Sequence, residues 1–155
     1  MKKIPLTQGQ FAIVDDEDFE RVSKLKWYAA KKRSTFYAQR EHKKTCLKMH
    51  RFILGITDSA VIIDHKNGNG LDNTRGNIRI CRNAENCMNR NGLSGSSSKY
   101  KGVSWCRHTN KWKAQIRFNG KLYYLGVYES ELESARVYDK AAKKHFGEFA
   151  WLNNV

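Results

Sequence analysis

The chain has 155 residues, of which 29 are Lys or Arg and 15 are Asp or Glu, so its formal net charge at neutral pH is +14. This excess is far more than solubility requires, and it predicts a polyanionic partner such as nucleic acid. The sequence has no long apolar run and no signal-like N-terminus, which argues against a membrane or secreted protein and favours a soluble, intracellular one. Four cysteines without a CxxC pair predict free thiols rather than a zinc knuckle.

The N-terminal segment, residues 4–14, predicts two short strands that turn at Gln8-Gly9. The acidic run at residues 15–18 is typical of the first turn of a helix, where the helix dipole favours carboxylates, and this helix is expected to run to about Leu25. A metal site is the alternative interpretation of the acidic run. The spacing of these acids does not follow a calcium-loop pattern.

Alternating residues from Trp27 to Met49 predict an antiparallel meander with charged turns at residues 31–34 and 41–44. Ten basic residues lie between Lys24 and Arg51, with aromatic residues among them, so this sheet is expected to lie against a DNA backbone. The alternative is a solvated Lys-rich edge that discourages aggregation. A short helix should follow and end at Gly55. His50 in this helix is expected either to contact a phosphate or to make a structural hydrogen bond. It is not part of the predicted catalytic set.

Residues 61–90 carry the strongest chemical signal in the chain. An apolar run ends at Asp64-His65, a loop rich in Gly, Asn and Asp follows, and a second alternating run covers residues 77–80. Asn83 is a good N-cap for a short helix. This ββα unit would bring Asp64 and His65 close to Asn86, so that a carboxylate, an imidazole and an amide oxygen face one small volume. Such a grouping suits metal-assisted hydrolysis of a phosphodiester.

This stretch resembles the HNH endonuclease family, whose ββα-metal site has these residue types at this spacing. His65 and Asn77 are 12 positions apart, and Asn77 and Asn86 are 9 positions apart. The resemblance implies that His65 is the general base, that Asp64 and Asn86 bind Mg²⁺ or another divalent cation such as Mn²⁺, and that Asn77 fixes the loop holding His65. Many members of the family have His where this chain has Asn86. Three further side chains are expected only to shape the loop: Asn67, Asn69 and Asn73.

A change of composition follows the ββα unit. Residues 93–98 are rich in Gly and Ser, which predicts a flexible linker between a domain at 1–92 and another at 99–155. The second domain should contain three strands, with a hairpin turn at Asn119-Gly120. Ser130 and Glu133 form a capping box for a helix that is expected to reach about His145.

The C-terminal segment resembles the Apetala-two DNA-binding domain of plant ethylene-response factors. The motifs that carry this resemblance are Tyr100-Lys101-Gly102-Val103, Trp112 to Arg117, Tyr124 to Tyr128, Ala135 to Ala142, and Leu152-Asn153. In that family the sheet enters the major groove, which implies DNA contacts by Lys101, Arg117 and Tyr124. The basic neighbours on the strands or turns are Arg107, Lys111, Lys113 and Lys121. Ser104 and Leu122 stand where the plant proteins often have arginine.

The predicted fold class is α+β: a small antiparallel sheet with a ββα-metal motif, then a three-stranded antiparallel sheet packed on one helix. The two resemblances together imply a phage- or intron-type homing endonuclease that acts on double-stranded DNA, with no evident protein partner. His65 would deprotonate a water that attacks phosphorus in line. A non-catalytic DNA-binding regulator is the competing prediction, against which the intact Asp64-His65 pair counts. RNA binding also fits the charge, but the sheet lacks the paired aromatics of an RNA-recognition sheet.

Overall fold

A computed structural model of the chain describes residues 1–32, 35–42, 45–90 and 95–155. The fold is α+β with small antiparallel sheets and short helices, which confirms the predicted class. The chain divides into two compact units, Met1–Asn86 and Cys87–Val155, and each is described below by itself. Part of the predicted linker and parts of the two charged turns lie outside the described residues. No helix in the described ranges is long and apolar enough to cross a membrane.

The first unit opens with a hairpin of β1 (Lys2–Pro5) and β2 (Phe11–Val14). Its turn has Gln8 and Gly9 in the left-handed region, at φ 61° and 66°. The acidic run then forms the first turn of α1 (Asp16–Ser23), so the helix interpretation is confirmed, although the helix ends two residues before Leu25.

The meander follows as β3 (Tyr28–Lys32), β4 (Thr35–His42) and β5 (Thr45–Lys48), in that order across the sheet. Strand residues alternate between faces, so Ala38 lies in the core while Tyr37 lies on the opposite face of the same strand. Helix α2 (Met49–Leu54) comes directly after β5 and ends at Gly55, whose φ of 67° is the left-handed cap that favours glycine. The buried side chains of this core are Ile4, Ala12, Val14, Val22, Trp27, Ala38, Met49, Ile53, Leu71 and Ile78.

The ββα unit consists of β6 (Ile62–His65), β7 (Ile78–Cys81) and α3 (Asn83–Met88). The long loop between its strands is held against two other strands. On one side the backbone of Ile13 donates to Leu71 O at 2.8 Å and accepts from Asn73 N at 2.8 Å. On the other side Gly70 lies so close to β4 that an added Cβ would clash with Phe36 O and with the Tyr37 ring. Glycine is therefore required there for close approach.

The second unit contains the three-stranded sheet β8 (Val103–Cys106), β9 (Lys111–Phe118) and β10 (Lys121–Tyr128), with β9 in the centre. Helix α4 (Glu131–Phe146) begins where the Ser130 side chain accepts a hydrogen bond from Glu133 N, as the capping box predicts, and a 3-10 helix (Gly147–Phe149) follows. The helix packs on the sheet through Ile116, Tyr138, Ala142 and Phe146.

Candidate functional site

Asp64 lies on β6 directly opposite Arg79 on β7. The Arg79 guanidinium donates to Asp64 Oδ2 from Nε at 3.2 Å and from Nη2 at 2.9 Å. The two side chains are only 9% and 8% exposed, so a charged carboxylate at this depth depends on its charged partner. Arg79 was not among the predicted site residues. Its place becomes evident only once the register of the hairpin is known.

His65 ends β6 and is 5% exposed. Burial lowers the pKa of His65, although a hydrogen bond to Asn73 and the nearby Asp64 and Asp72 carboxylates act in the opposite direction. The bond joins His65 Nε2 to Asn73 Oδ1 at 3.5 Å. A lowered pKa keeps the imidazole neutral at neutral pH, which is the form that can accept a proton from water.

Two other rings surround the imidazole of His65. Its ring centroid is 5.1 Å from that of His50 and 5.7 Å from that of Tyr37, both in edge-on arrangements. His50 is 4% exposed, and no described residue makes a hydrogen bond to its Nδ1 atom. Burial, with the charges of His65, Lys48 and Arg51, lowers the pKa of His50 to about 3. The motif gave no signal for this neighbour, because His50 belongs to a different element.

Asn77 connects the two ends of the loop. Its side-chain amide donates to Asp72 O at 2.7 Å and accepts from Asn67 N at 3.0 Å. The Asn77 backbone carbonyl also accepts from Lys66 N at 2.9 Å, directly after His65. The side chain is therefore placed to hold the turn that follows the predicted base.

Asn86 lies half-buried on α3, and its backbone makes a hydrogen bond to the Cys81 thiol at the end of β7. Burial raises the pKa of the Cys81 thiol to about 11; the negative charge of Asp64 also raises it, and a hydrogen bond from the Asn86 backbone lowers it. The Asn86 backbone is thus at the Cys81 sulfur, at the end of the strand β7 that pairs with the strand of Asp64. The first turn of α3 is held by an ion pair between Arg82 and Glu85 at 2.6 Å.

The donors predicted to bind a cation are one carboxylate, Asp64, and one amide, Asn86. Hard oxygen donors of this kind fit Mg²⁺, which usually completes its shell with water and phosphate oxygens. Over the described parts of the chain, no group of three or more His, Cys, Asp and Glu side chains is placed to hold a metal ion. A carboxylate and an amide oxygen are both oxygen donors, which suit a small hard cation better than they suit zinc.

The sheet of the second unit presents a row of polar side chains on the face away from its helix. On β9, Lys111, Lys113 and Arg117 alternate with the buried Ala114 and Ile116. Gln115 stands in the same row and pairs with Tyr124 on β10. The Tyr124 side chain is 65% exposed. Gln115 was not among the predicted DNA contacts, although strand alternation around the buried residues would have placed it in this row from the sequence.

Other predicted DNA contacts are placed differently. Lys121 pairs with Phe118, which packs towards the helix, so the two share the other face of the sheet. The Lys101 ammonium donates to Met88 O at 2.6 Å and Arg90 O at 2.5 Å, and burial lowers the pKa of Lys101 to about 8. Arg107 is exposed after β8. Lys111 of this row forms an ion pair with Glu129, the residue after β10, at 2.7 Å.

Comparison with known proteins shows a similarity along nearly the whole chain. The chain is 32% identical over 153 residues to an uncharacterized HNH endonuclease of Acanthamoeba polyphaga mimivirus, covering 96% of this chain and 77% of the viral protein. Protein 3.8 of Escherichia phage T7 is 28% identical over 88 residues, which is 57% of this chain and 72% of the phage protein. No family model and no solved structure matches the chain.

A second similarity covers a shorter segment. An AP2-like ethylene-responsive transcription factor of Arabidopsis thaliana is 41% identical over 66 residues, which is 43% of this chain but only 14% of the plant protein. These comparisons confirm both predicted resemblances at the level of sequence.

Proposed function

We propose that this chain, which belongs to the HNH endonuclease family, hydrolyses DNA phosphodiester bonds at chosen sites as a metal-dependent, homing-type endonuclease. The observation that carries the proposal is the environment of His65. A nearly buried imidazole, kept neutral by desolvation, ends the strand that also carries Asp64. Neutral imidazole in such a position can act as a general base at neutral pH.

The proposed reaction begins with His65, which takes a proton from a water molecule as that water attacks phosphorus in line. The products would be a 5′-phosphate and a 3′-hydroxyl end. Asp64 and Asn86 would hold Mg²⁺, or another divalent cation such as Mn²⁺. When bound, the cation supplies charge stabilisation for the departing 3′ oxygen.

Two further side chains support this arrangement. Arg79 contacts the Asp64 carboxylate through two nitrogens, which favours one orientation of the proposed ligand. Asn77 joins both ends of the loop after His65, so we assign it a role in holding the base. Neither residue is proposed to touch the substrate.

DNA binding is proposed to be divided between the domains. Residues 1–92 would carry out the chemistry, residues 93–98 would connect the domains, and residues 99–155 would select the site. The polar face of the second sheet supports contacts by Lys111, Lys113, Arg117 and Tyr124. Arg107, Lys101 and Lys121 are also proposed as DNA contacts, although Lys121 lies on the other face of the sheet and Lys101 donates to the carbonyls of Met88 and Arg90.

The test is cleavage of supercoiled plasmids that carry the DNA flanking this gene, with Mg²⁺ and with a chelator. The expected result is Mg²⁺-dependent cutting by the wild type and none by His65→Ala, with DNA binding retained in both. Ligation of the products to adaptors would identify 5′-phosphate ends. Equal cutting by His65→Ala, after purification in parallel, would overturn the assignment of the base.

A non-catalytic DNA-binding regulator is the second candidate. The similarity of one segment to plant transcription factors favours it. In the same assay it predicts site-selective binding by the wild type with no cutting at any Mg²⁺ or Mn²⁺ concentration.

A further inference from the structure

We infer that Lys48 is a substrate-binding residue of the first unit, whose ammonium contacts one backbone phosphate of the DNA, either at the bond that is cut or directly beside it. The inference rests on the proposed function, because it takes the surroundings of His65 as the nuclease centre. The contact itself can be measured by DNA binding, without any cleavage.

Lys48 lies on the same face of the meander as the tyrosine ring that meets His65. It ends β5 and pairs with Gln39 on β4. Because side chains alternate along a strand, Gln39 and Tyr37 share one face of β4, opposite the buried Ala38. The Lys48 Nζ atom is 5.9 Å from the centre of the Tyr37 ring, and the same ring centre is 5.7 Å from that of His65. The ammonium is therefore a neighbour of the predicted nuclease centre, although it belongs to a different element of the chain.

Lys48 is one of three positive charges that lie near one another in this unit. It is half-buried, and the charges of Lys32 and Arg51 are close enough to act on its ammonium. The Arg51 guanidinium donates to two backbone carbonyls, those of Val61, at 2.8 Å, and Asp58. No carboxylate in the described part of the chain forms an ion pair with any of the three cations. An anion of the substrate would relieve the repulsion between these like charges, and the anion that DNA offers is a phosphate.

The charge of Lys48 distinguishes a binding role from a structural one. Burial is the largest cause that lowers the pKa of Lys48, and the charges of Lys32 and Arg51 act in the same direction. A lowered pKa means that the fold disfavours the ammonium relative to the unfolded chain. Lys48→Met keeps an apolar stem against Tyr37 and removes the charge, so it should leave the first unit equally stable or more stable. A cation that costs stability, beside the proposed base, is expected where that cation binds substrate.

The experiment compares the DNA binding of full-length wild type, Lys48→Met, Lys48→Arg and Lys2→Met. The probe is a duplex of the DNA that flanks this gene, and binding is measured with a chelator present over a series of salt concentrations. Lys2→Met is the matched control, because Lys2 Nζ also lies over an aromatic ring, 4.7 Å from the centre of Phe19. This variant removes the same charge and the same kind of contact from β1, outside the predicted site.

Lys48→Met should bind on the order of 10-fold more weakly than wild type at about 0.15 M salt, with a salt dependence that is less steep by about one unit. Lys48→Arg should restore the wild-type slope, and Lys2→Met should keep it. The midpoint of urea unfolding should not fall in Lys48→Met. An unchanged slope in folded Lys48→Met would overturn the inference. So would an equal loss in Lys2→Met, which would show only an effect of total charge, or a lower urea midpoint in Lys48→Met, which would show that the ammonium serves the fold.

Neutral methylphosphonates at single positions locate the contact on a duplex that wild type cuts. Replacement of the phosphate at the cut, or of one next to it, should weaken binding by wild type and have no further effect on Lys48→Met, because the same contact is already lost. Coupling only at a more distant phosphate, or at none, would overturn the placement of Lys48 at the nuclease centre. If the salt slopes follow the expectation but wild type never cuts DNA, the proposed function fails and the phosphate contact of Lys48 stands.

Discussion

Acidification from about pH 7 to about pH 4.5 should destabilise the first unit by about 2 to 3 kcal/mol through His50 alone. The unfolded chain binds a proton at His50 near the ordinary pKa of 6.5, whereas in the fold burial lowers the pKa of His50 to about 3. Between these values the unfolded state holds more protons. The free energy of unfolding therefore falls as the pH falls through that window, and it is unaffected by His50 well above 6.5.

The size of this loss in the free energy of unfolding follows from the interval between the ordinary pKa of histidine and the final pH. About two pH units separate 6.5 from 4.5, and each unit corresponds to about 1.4 kcal/mol of difference between the protonation states. His50 is 4% exposed, so solvent screening removes little of this effect. Burial is the largest cause of the shift, and the charges of His65, Lys48 and Arg51 act in the same direction.

The assay is urea unfolding at several pH values. It is followed by the NMR resonance of the Trp27 indole N–H, which donates to Val22 O at 2.9 Å within this unit. His50→Leu removes the titrating group, so wild type should lose about 2 to 3 kcal/mol relative to it on acidification. Ile53→Val is the matched control: this buried neighbour on α2 should cost about 1 kcal/mol at every pH. A constant difference between wild type and His50→Leu from about pH 7 to about pH 4.5 would refute the reasoning.

Four other predictions concern activity and binding. His65→Ala and Asp64→Ala should each abolish cleavage and leave DNA affinity within a few-fold, because phosphate contacts elsewhere supply most of the affinity; gel-shift and plasmid assays measure both, and a cutting His65→Ala protein would contradict the first. Asn86→Ala should need more Mg²⁺, and no rescue by excess metal would indicate a structural role. Truncation to residues 1–93 should raise the DNA concentration needed for cutting and weaken site preference, yet preserve the rate at saturation; unchanged preference would exclude the second domain as the targeting module. Arg117→Ala should weaken target binding by about 1 to 3 kcal/mol if it reads a guanine, and an equal loss on scrambled DNA would indicate a phosphate contact instead.

Features that depend on neighbouring residues could be predicted from the sequence. The hairpin turn at Asn119-Gly120, the cap at Ser130 and the end of α2 at Gly55 each follow from local backbone preferences, and all three are found. The ββα unit was predictable for the same reason, since its two strands and its helix are adjacent in the chain. The residues of local motifs, together with their spacing in the nuclease stretch, were likewise sufficient to identify both family resemblances.

Only the tertiary structure decided which side chains meet around the predicted base. His50 and Tyr37 come from α2 and β4, and their contact with His65 depends on how these elements pack. Asn73 was predicted to be a loop-shaping residue, yet its amide faces His65 because β2 holds its backbone. Such contacts carry no periodic signal in the sequence. They arise when residues far apart in the chain share one buried volume, where each polar group must find a partner or shift its pKa.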